Sequence, residues 1–403
     1  MSRRPAVVFC MPGRGHFRRL VPVIAGLVEA GVPTHVFTDS GFAADVIGAG
    51  AHFVDLFAGR PLAAADAQSI PIPSRYVSFA GHYGDAVARA AAALRPGLVL
   101  HDTFAVIGQV VANHLGVPRV NVCAGHNAAP APTLAALRVD PRVAIAPACH
   151  AAVRALRERH GIADASPFSY VTALSPDLNL CCEPAPFLRR ADRAPFEPLA
   201  FFGSLSADAV AAAPAGPPRG DDRGARVYVS FGTVIWSYYA DAARAALAAV
   251  ADAVAAQSEA RALVSLGGED WAGVAAGLRR PNVRVEGYVD QARALRQATV
   301  FITHHGLNST HEAVLCQVPM LSYPFFGDQP DMALRCQELG LALPLVATPR
   351  AAITPDAVRG ALAAVAAQRP ALAARLAEAR AWELAAIRDR PAVIARRVSL
   401  MAR

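Results

Sequence analysis

Lysine is missing. None occurs in 403 residues, so all 39 basic side chains are arginine. There can be no Schiff-base lysine for pyridoxal phosphate and no P-loop lysine, which removes kinases and NTPases built on those motifs. Long apolar runs are missing too. Although 54% of the side chains are hydrophobic, no run nears the roughly 20 residues that cross a bilayer, and "RRPAVVFCM" is too short for a signal peptide's apolar core and cleavage site. A cytoplasmic protein without membrane insertion is expected. The seven cysteines make neither a CxxC pair nor a disulfide framework, with only Cys181 and Cys182 adjacent, so reduced, buried thiols are expected. The formal charge is +7, but the arginines are scattered without aromatic interleaving. That pattern fits a GC-rich genome better than nucleic-acid binding.

What is present is alternation. The opening residues read strand, loop, helix, strand as "AVVFCM", "PGRGH", "FRRLVPVIAGLVEAG" and "THVFTD", a βαβ unit that starts a parallel sheet. "GLVLHD", the helical "AVIGQVVANHLG" and "VPRVNV" continue it. Residues 211–226, "AAAPAGPPRGDDRGAR", combine Pro, Gly and charge without periodicity, the composition of a linker. A second alternating half follows, with strands expected in "RVYVSFGT", "RALVSLG", "VRVEGY" and "TVFITH". The fold class is therefore α/β, two doubly wound domains with ligands at the strand carboxyl ends facing a cleft. The closing stretch reads as a helix interrupted at Pro391.

The segment "FITHHGLNSTHEAV", residues 301–314, concentrates neutral donors at one strand-to-helix turn. Ser309 as N-cap and Glu312 three residues on would form a capping box. An exposed helix N-terminus carries about half a positive charge and unpaired N–H groups, enough to hold a diphosphate without lysine. Gly306 would let the backbone approach, and His304, Asn308 and Ser309 would supply further donors. His305 and His311 are expected to be exposed. Adjacent His304 and His305 cannot easily converge on one zinc ion, so no metal site is expected.

These residues resemble the donor signature of the inverting, nucleotide-sugar-dependent glycosyltransferases of the GT-B fold, the UDP-glycosyltransferase superfamily with its bacterial antibiotic and natural-product branch. That signature runs W-x-P-Q, His-x-Gly-x-(Asn/Gly)-Ser-x-x-Glu, Gly-x-Pro and (Asp/Glu)-Gln. Here it reads Tyr288-Val289-Asp290-Gln291, then His304 to Glu312, then Gln317-Val318-Pro319, then Asp328-Gln329. Upstream, "VSFGT", with Ser230, Gly232 and Thr233, is similar to the family's first strand and loop of the second domain. The resemblance implies an acceptor-binding domain at 1–210, a linker at 211–226, a donor-binding domain at 227–385 and a C-terminal helix at 386–403 packing back on the first domain. It implies that the base stacks on Tyr288 and bonds the backbone at Val289, that Gln291 belongs to the donor motif, and that Glu312 takes the ribose hydroxyls. His304, Gly306, Asn308 and Ser309 would hold the diphosphate, and Asp328 and Gln329 the sugar.

"MPGRGH" matches the family's Gly-His pair, with Gly15 beside the donor and His16 as the general base. Asp102, ending a later strand, would orient His16. Such a base can supply roughly 10² to 10⁴ in rate, while the carboxylate fixes its tautomer. No Asp-x-Asp triplet occurs, so a metal-independent reaction without a cofactor is expected. Phe79, His82 and Tyr83 in a loop over 74–84, and His126 and Asn127 in a loop over 123–133, are candidate acceptor-lining residues. The expected partners are a UDP- or dTDP-sugar, with UDP-glucose favoured because Asp328-Gln329 suits a fully hydroxylated sugar, and a small-molecule acceptor; the chain would be a monomer or homodimer. Two alternatives remain open. "GRGHFR" with Asp39 resembles a dinucleotide fingerprint and would suit an NAD-dependent oxidoreductase, and a GT-B sugar-nucleotide epimerase would share the donor site.

Overall fold

The computed structural model describes residues 3–62, 74–127, 129–141, 143–203, 224–268 and 272–402. The chain divides into two compact units, Met1–Gly203 with Ala386–Arg403, and Ser204–Ala385. Of the expected linker, residues 211–223 lie outside the described residues, and Arg226 already opens a strand.

The first unit is built on seven parallel strands: β1 (Ala6–Phe9), β2 (Thr34–Thr38), β3 (His52–Asp55), β4 (Leu98–Asp102), β5 (Arg119–Cys123), β6 (Leu178–Cys181) and β7 (Leu199–Phe201). Their order is β3-β2-β1-β4-β5-β6-β7. Around them lie α1 (Arg14–Glu29), α2 (Ala43–Gly48), α3 (Ser74–Ala92), α4 (Ile107–Leu115), α5 (Pro130–Val139), α6 (Pro147–Glu158) and α7 (Ser169–Thr172). Every residue of β1 and β4 is buried, which is why Ala6–Phe9 and Leu98–Leu100 read as unbroken apolar runs rather than alternating ones. The strand order reverses between β1 and β4, and Phe9 pairs with His101 at their carboxyl ends. A reversal of this kind opens a crevice above the sheet.

Residues 74–84, expected as a loop, are the first turns of α3. A Cβ placed on Gly81 would fall 2.5 Å from the Ala152 carbonyl oxygen. The glycine therefore permits close packing of α3 on α6 and does not mark a turn.

The second unit has six parallel strands: β8 (Arg226–Ser230), β9 (Arg261–Ser265), β10 (Val283–Glu286), β11 (Val300–Thr303), β12 (Met320–Ser322) and β13 (Ala342–Pro344), ordered β10-β9-β8-β11-β12-β13. Its helices are α8 (Ile235–Tyr238), α9 (Ala240–Ala255), α10 (Ala272–Leu278), α11 (Gln291–Gln297), α12 (Leu307–Leu315), α13 (Gln329–Glu338), α14 (Pro355–Ala367) and α15 (Arg369–Val393). The reversal here falls between β8 and β11.

Helix α15 runs unbroken past Ala385 and through Pro391, where an interruption was expected. Pro391 stands in its last turn, so its missing N–H and its ring disturb only the end of the helix. The tail then packs within the first unit: Arg390 Nε donates to the Phe202 carbonyl at 2.7 Å and Arg4 N–H to the Ala402 carbonyl at 3.0 Å. All seven cysteines are buried and none is in a disulfide. Among the described residues, no helix is long and apolar enough to cross a membrane.

Candidate active site

Helix α1 begins at Arg14, so Gly15 and His16 lie in its first turn and not on the preceding loop. That start brings His16 Nδ1 to 3.1 Å from Asp102 Oδ1. Asp102 is fully buried, and its two oxygens also accept the Met11 N–H at 2.9 Å and the Phe104 N–H at 2.8 Å. Burial works to raise the Asp102 carboxyl. The bonds from His16 and the two backbone N–H groups outweigh burial and hold it below its ordinary value. The His16 side chain stays 22% exposed and lies against the Phe104 ring with centroids 4.1 Å apart. The ring is thus fixed at Nδ1 by an ionised carboxylate and in its plane by an aromatic. Phe104 carried no sequence signal; only its position two residues beyond a strand end places it there.

In the second unit, His304 follows β11 and is buried between two glycines. A Cβ on Gly232 would meet His304 Nε2 at 2.9 Å, and one on Gly306 would meet it at 2.5 Å. Burial lowers the His304 pKa to about 4, with a bond to the Ser230 backbone opposing. The imidazole is therefore neutral at pH 7 and donates or accepts as a dipole. Gly306 is the N-cap of α12 and provides no side-chain cap, so the first backbone N–H groups of this nine-residue helix are uncapped.

Ser309 therefore lies in the first turn of α12 and is not the N-cap. Gln291 Nε2 donates to Glu312 Oε2 at 2.7 Å and contacts Ser309 Oγ at 3.2 Å. These donor-motif residues thus brace one another across α11 and α12. Asn308 is half-buried at the same helix end, and Thr233 and Tyr288 are exposed, with Tyr288 at 69%. Val289 is half-buried. Two departures from the family signature have visible consequences. Asp290 caps α11 through the Arg293 N–H, and Gln317 adopts φ 56°, the left-handed backbone that the family's glycine takes without strain.

His305 and His311, expected exposed, are both fully buried. His305 Nε2 lies 2.8 Å from Ser322 Oγ and its Nδ1 lies 3.3 Å from Thr310 Oγ1. His311 Nδ1 contacts the Glu383 carboxylate. Gln329 is buried, and its Oε1 accepts the Phe325 and Phe326 N–H groups at 2.9 and 3.2 Å. It braces the turn that carries Asp328, the residue preceding α13.

The acceptor candidates separate. Phe79 is 2% exposed and belongs to the core, His82 is exposed on α3, and Tyr83 is half-buried with its ring 5.1 Å from that of Phe79. His126 Nδ1 lies 2.9 Å from Glu183 Oε2, and Asn127 Nδ2 donates to Glu183 Oε1 at 2.9 Å. Both are buried and hold the segment after β5 to a fully buried carboxylate. Glu183 follows the four-residue strand β6, which is too short to show a period in the sequence. Asp39 accepts the Gly41 N–H at 2.9 Å and so caps its own turn.

Residues 219–369 match the model of the UDP-glucuronosyl and UDP-glucosyl transferase family. The second unit is a UDP-glycosyltransferase-superfamily domain. Mouse UDP-glucuronosyltransferase 3A1 is 41% identical to this chain over 69 residues, 16% of this chain and 13% of that protein. An uncharacterized UDP-glucosyltransferase of Bacillus subtilis, YdhE, is 43% identical over 58 residues, 14% of this chain and 15% of that protein. The chain thus matches only about a seventh of the length of these relatives. Over the whole chain the fold is GT-B, two parallel-sheet Rossmann-like domains. The kitacinnamycin glycotransferase superposes with a TM-score of 0.73 at 24% identity, over 98% of this chain and 99% of its own. The calicheamicin glycosyltransferase CalG4 superposes at 0.71 with 22% identity, over 100% of this chain and 98% of its own.

Proposed function

We propose that the protein is a glycosyltransferase that moves a sugar from a nucleoside diphosphate to a hydroxyl of a small-molecule natural product, with inversion at the anomeric carbon. The observation that carries this reading is the 3.1 Å bond between His16 Nδ1 and Asp102 Oδ1, in a chain whose other unit is a UDP-glycosyltransferase domain. With Nδ1 committed to Asp102, His16 Nε2 takes the acceptor hydroxyl proton as the oxygen attacks the anomeric carbon. The bond from that carbon to the diphosphate breaks on the opposite face, so one displacement inverts the centre. Asp102 stabilises the imidazolium as it forms.

The departing charge falls to the uncapped N-terminus of α12, with neutral His304 and Asn308 as further dipoles. No metal or cofactor is assigned a step, and a chelator is expected to leave turnover unchanged. Tyr288 stacks on the base, and Glu312 and Asp328 accept from ribose and sugar hydroxyls. UDP-glucose remains the favoured donor from the Asp328-Gln329 pair. A dTDP-sugar is the second reading, supported by the likeness to the rhamnosyltransferase SpnG, whose structure is complexed with thymidine diphosphate (TM-score 0.64, 20% identity).

The test is calorimetric titration with UDP, dTDP and NAD in parallel, without added metal, followed by a transfer assay on the His16→Ala variant. Micromolar binding of UDP or dTDP is expected, with turnover in the variant at least about a hundredfold lower and nucleotide affinity intact. Binding of NAD alone would replace this reading with the oxidoreductase one.

A further inference from the structure

Helix α12 carries the proposed diphosphate contacts at its N-terminal end, and two side chains of α15 grip it further along. His311 and Glu383 are fully buried and in hydrogen-bond contact. One turn on, the Leu315 carbonyl accepts from Arg380 Nε at 3.0 Å. Arg380 thus holds the carboxyl end of the helix, while the His311 side chain presents one face of it to Glu383. Ser309 and Glu312, three apart, present a different face to Gln291. The helix is therefore held by polar contacts on two faces.

As a stabiliser the His311–Glu383 pair is a poor choice. Desolvating a carboxylate is unfavourable, and an apolar pair of similar volume is often as stable or more so. Moreover, Glu383 Oε2 is buried with no hydrogen-bond partner among the described residues, a defect that native structures seldom carry without a reason. What a bonded pair supplies and an apolar pair does not is direction, because it defines both the rotation of α12 and its position along its axis.

We infer that Glu383, acting through His311, is a positioning residue for the donor diphosphate. It sets α12 so that the first-turn N–H groups, Asn308 and Ser309 meet the phosphate oxygens together. This rests on the donor-site reading above. Glu383 touches no substrate; its effect is transmitted through the helix.

The test compares Glu383→Leu, the double variant His311→Leu/Glu383→Leu, and Glu383→Gln in the full chain, with UDP and dTDP as calorimetric probes and thermal unfolding run alongside. The double variant leaves no unpaired buried charge, so it carries the test even if Glu383→Leu alone does not fold. A misplaced helix terminus is expected to weaken nucleotide binding about tenfold in the double variant and raise the donor KM by the same factor, with the acceptor KM unchanged and Tm not lowered. Glu383→Gln offers an acceptor and a donor to either His311 tautomer, and should stay within about threefold of the parent. Parent-like nucleotide affinity in the folded double variant would overturn the inference and reduce the pair to core filling. A parent protein that binds neither nucleotide would overturn the donor-site reading itself, and this inference with it.

Discussion

The substitution Asp102→Asn probes the proposed reaction with the least change of shape. Asp102 accepts from three groups, Met11 N–H and Phe104 N–H on the backbone and His16 Nδ1. An amide has one acceptor oxygen and one donor nitrogen, so it cannot serve all three. If the nitrogen takes the place of Oδ2 it faces the Met11 N–H, and His16 keeps a neutral acceptor. Losing a charge-assisted bond to the forming imidazolium then costs about 1.5–3 kcal/mol, a factor of roughly 10 to 150 at about 1.36 kcal/mol per decade. If the nitrogen takes the place of Oδ1 it faces the Phe104 N–H and His16 Nδ1. The imidazole can then accept only by moving its proton to Nε2, and the base is lost with its full contribution of about 10² to 10⁴. The expected fall in kcat therefore lies between about 10 and about 10⁴, according to which way the amide turns, read as nucleoside diphosphate release at saturating donor and acceptor. Nucleotide binding, measured by calorimetry, should be unchanged because Asp102 lies in the first unit. A folded Asp102→Asn variant turning over within threefold of the parent would refute the dyad as the base.

Three other outcomes follow from the same geometry. Gly306→Ala needs no backbone change, since φ is −60°, but its methyl would sit 2.5 Å from His304 Nε2; a loss of diphosphate affinity of about tenfold or more with little change in Tm is expected, by calorimetry and thermal unfolding. Tyr288→Ala removes a ring that is 69% exposed, so Tm should not move while nucleotide affinity falls by about 1–3 kcal/mol of stacking. Acid should destabilise both units below pH 6.5: burial lowers His101 and His304 to about 4, so between that value and about 6.5 the unfolded chain binds more protons, and each histidine removes about 2 kcal/mol between pH 7 and pH 5. Asp102, whose carboxyl is lowered, acts in the same direction further down, its contribution being lost as pH falls below about 4. Urea unfolding at pH 7 and pH 5 checks this, and a His304→Gln variant with an undiminished acid loss in the second unit would contradict it.

Much of the fold was legible because buried parallel strands are apolar on both faces. "AVVF", "LVLHD" and "VFIT" could be little else. The strands that escaped notice are the edge strand β3, whose residues are exposed or half-buried, the three-residue strands β7, β12 and β13, and β6 with its paired cysteines. Too few residues carry a period there. Residues 74–84 resemble a loop in sequence because Gly81 and Gly84 punctuate them, whereas both glycines permit close approach: an added Cβ on Gly84 would meet the His160 ring at 2.8 Å. Ser309 followed by Glu312 imitated a capping box, but the helix starts at Leu307, and their side chains turn to Gln291 instead.

The sequence by itself determined the α/β alternation, the two-unit division and the residue types at the two strand-to-helix turns, because these depend on local periodicity and short motifs. Apart from the His16–Asp102 pairing, which the family resemblance implied, tertiary structure alone decided which carboxylate each histidine meets. His16 finds Asp102 across 86 positions, His126 finds Glu183 across 57, and His311 finds Glu383 across 72. No local pattern encodes such pairings, since they arise only when neighbouring strand ends and packed helices exclude water and leave each buried acid a single imidazole to bond.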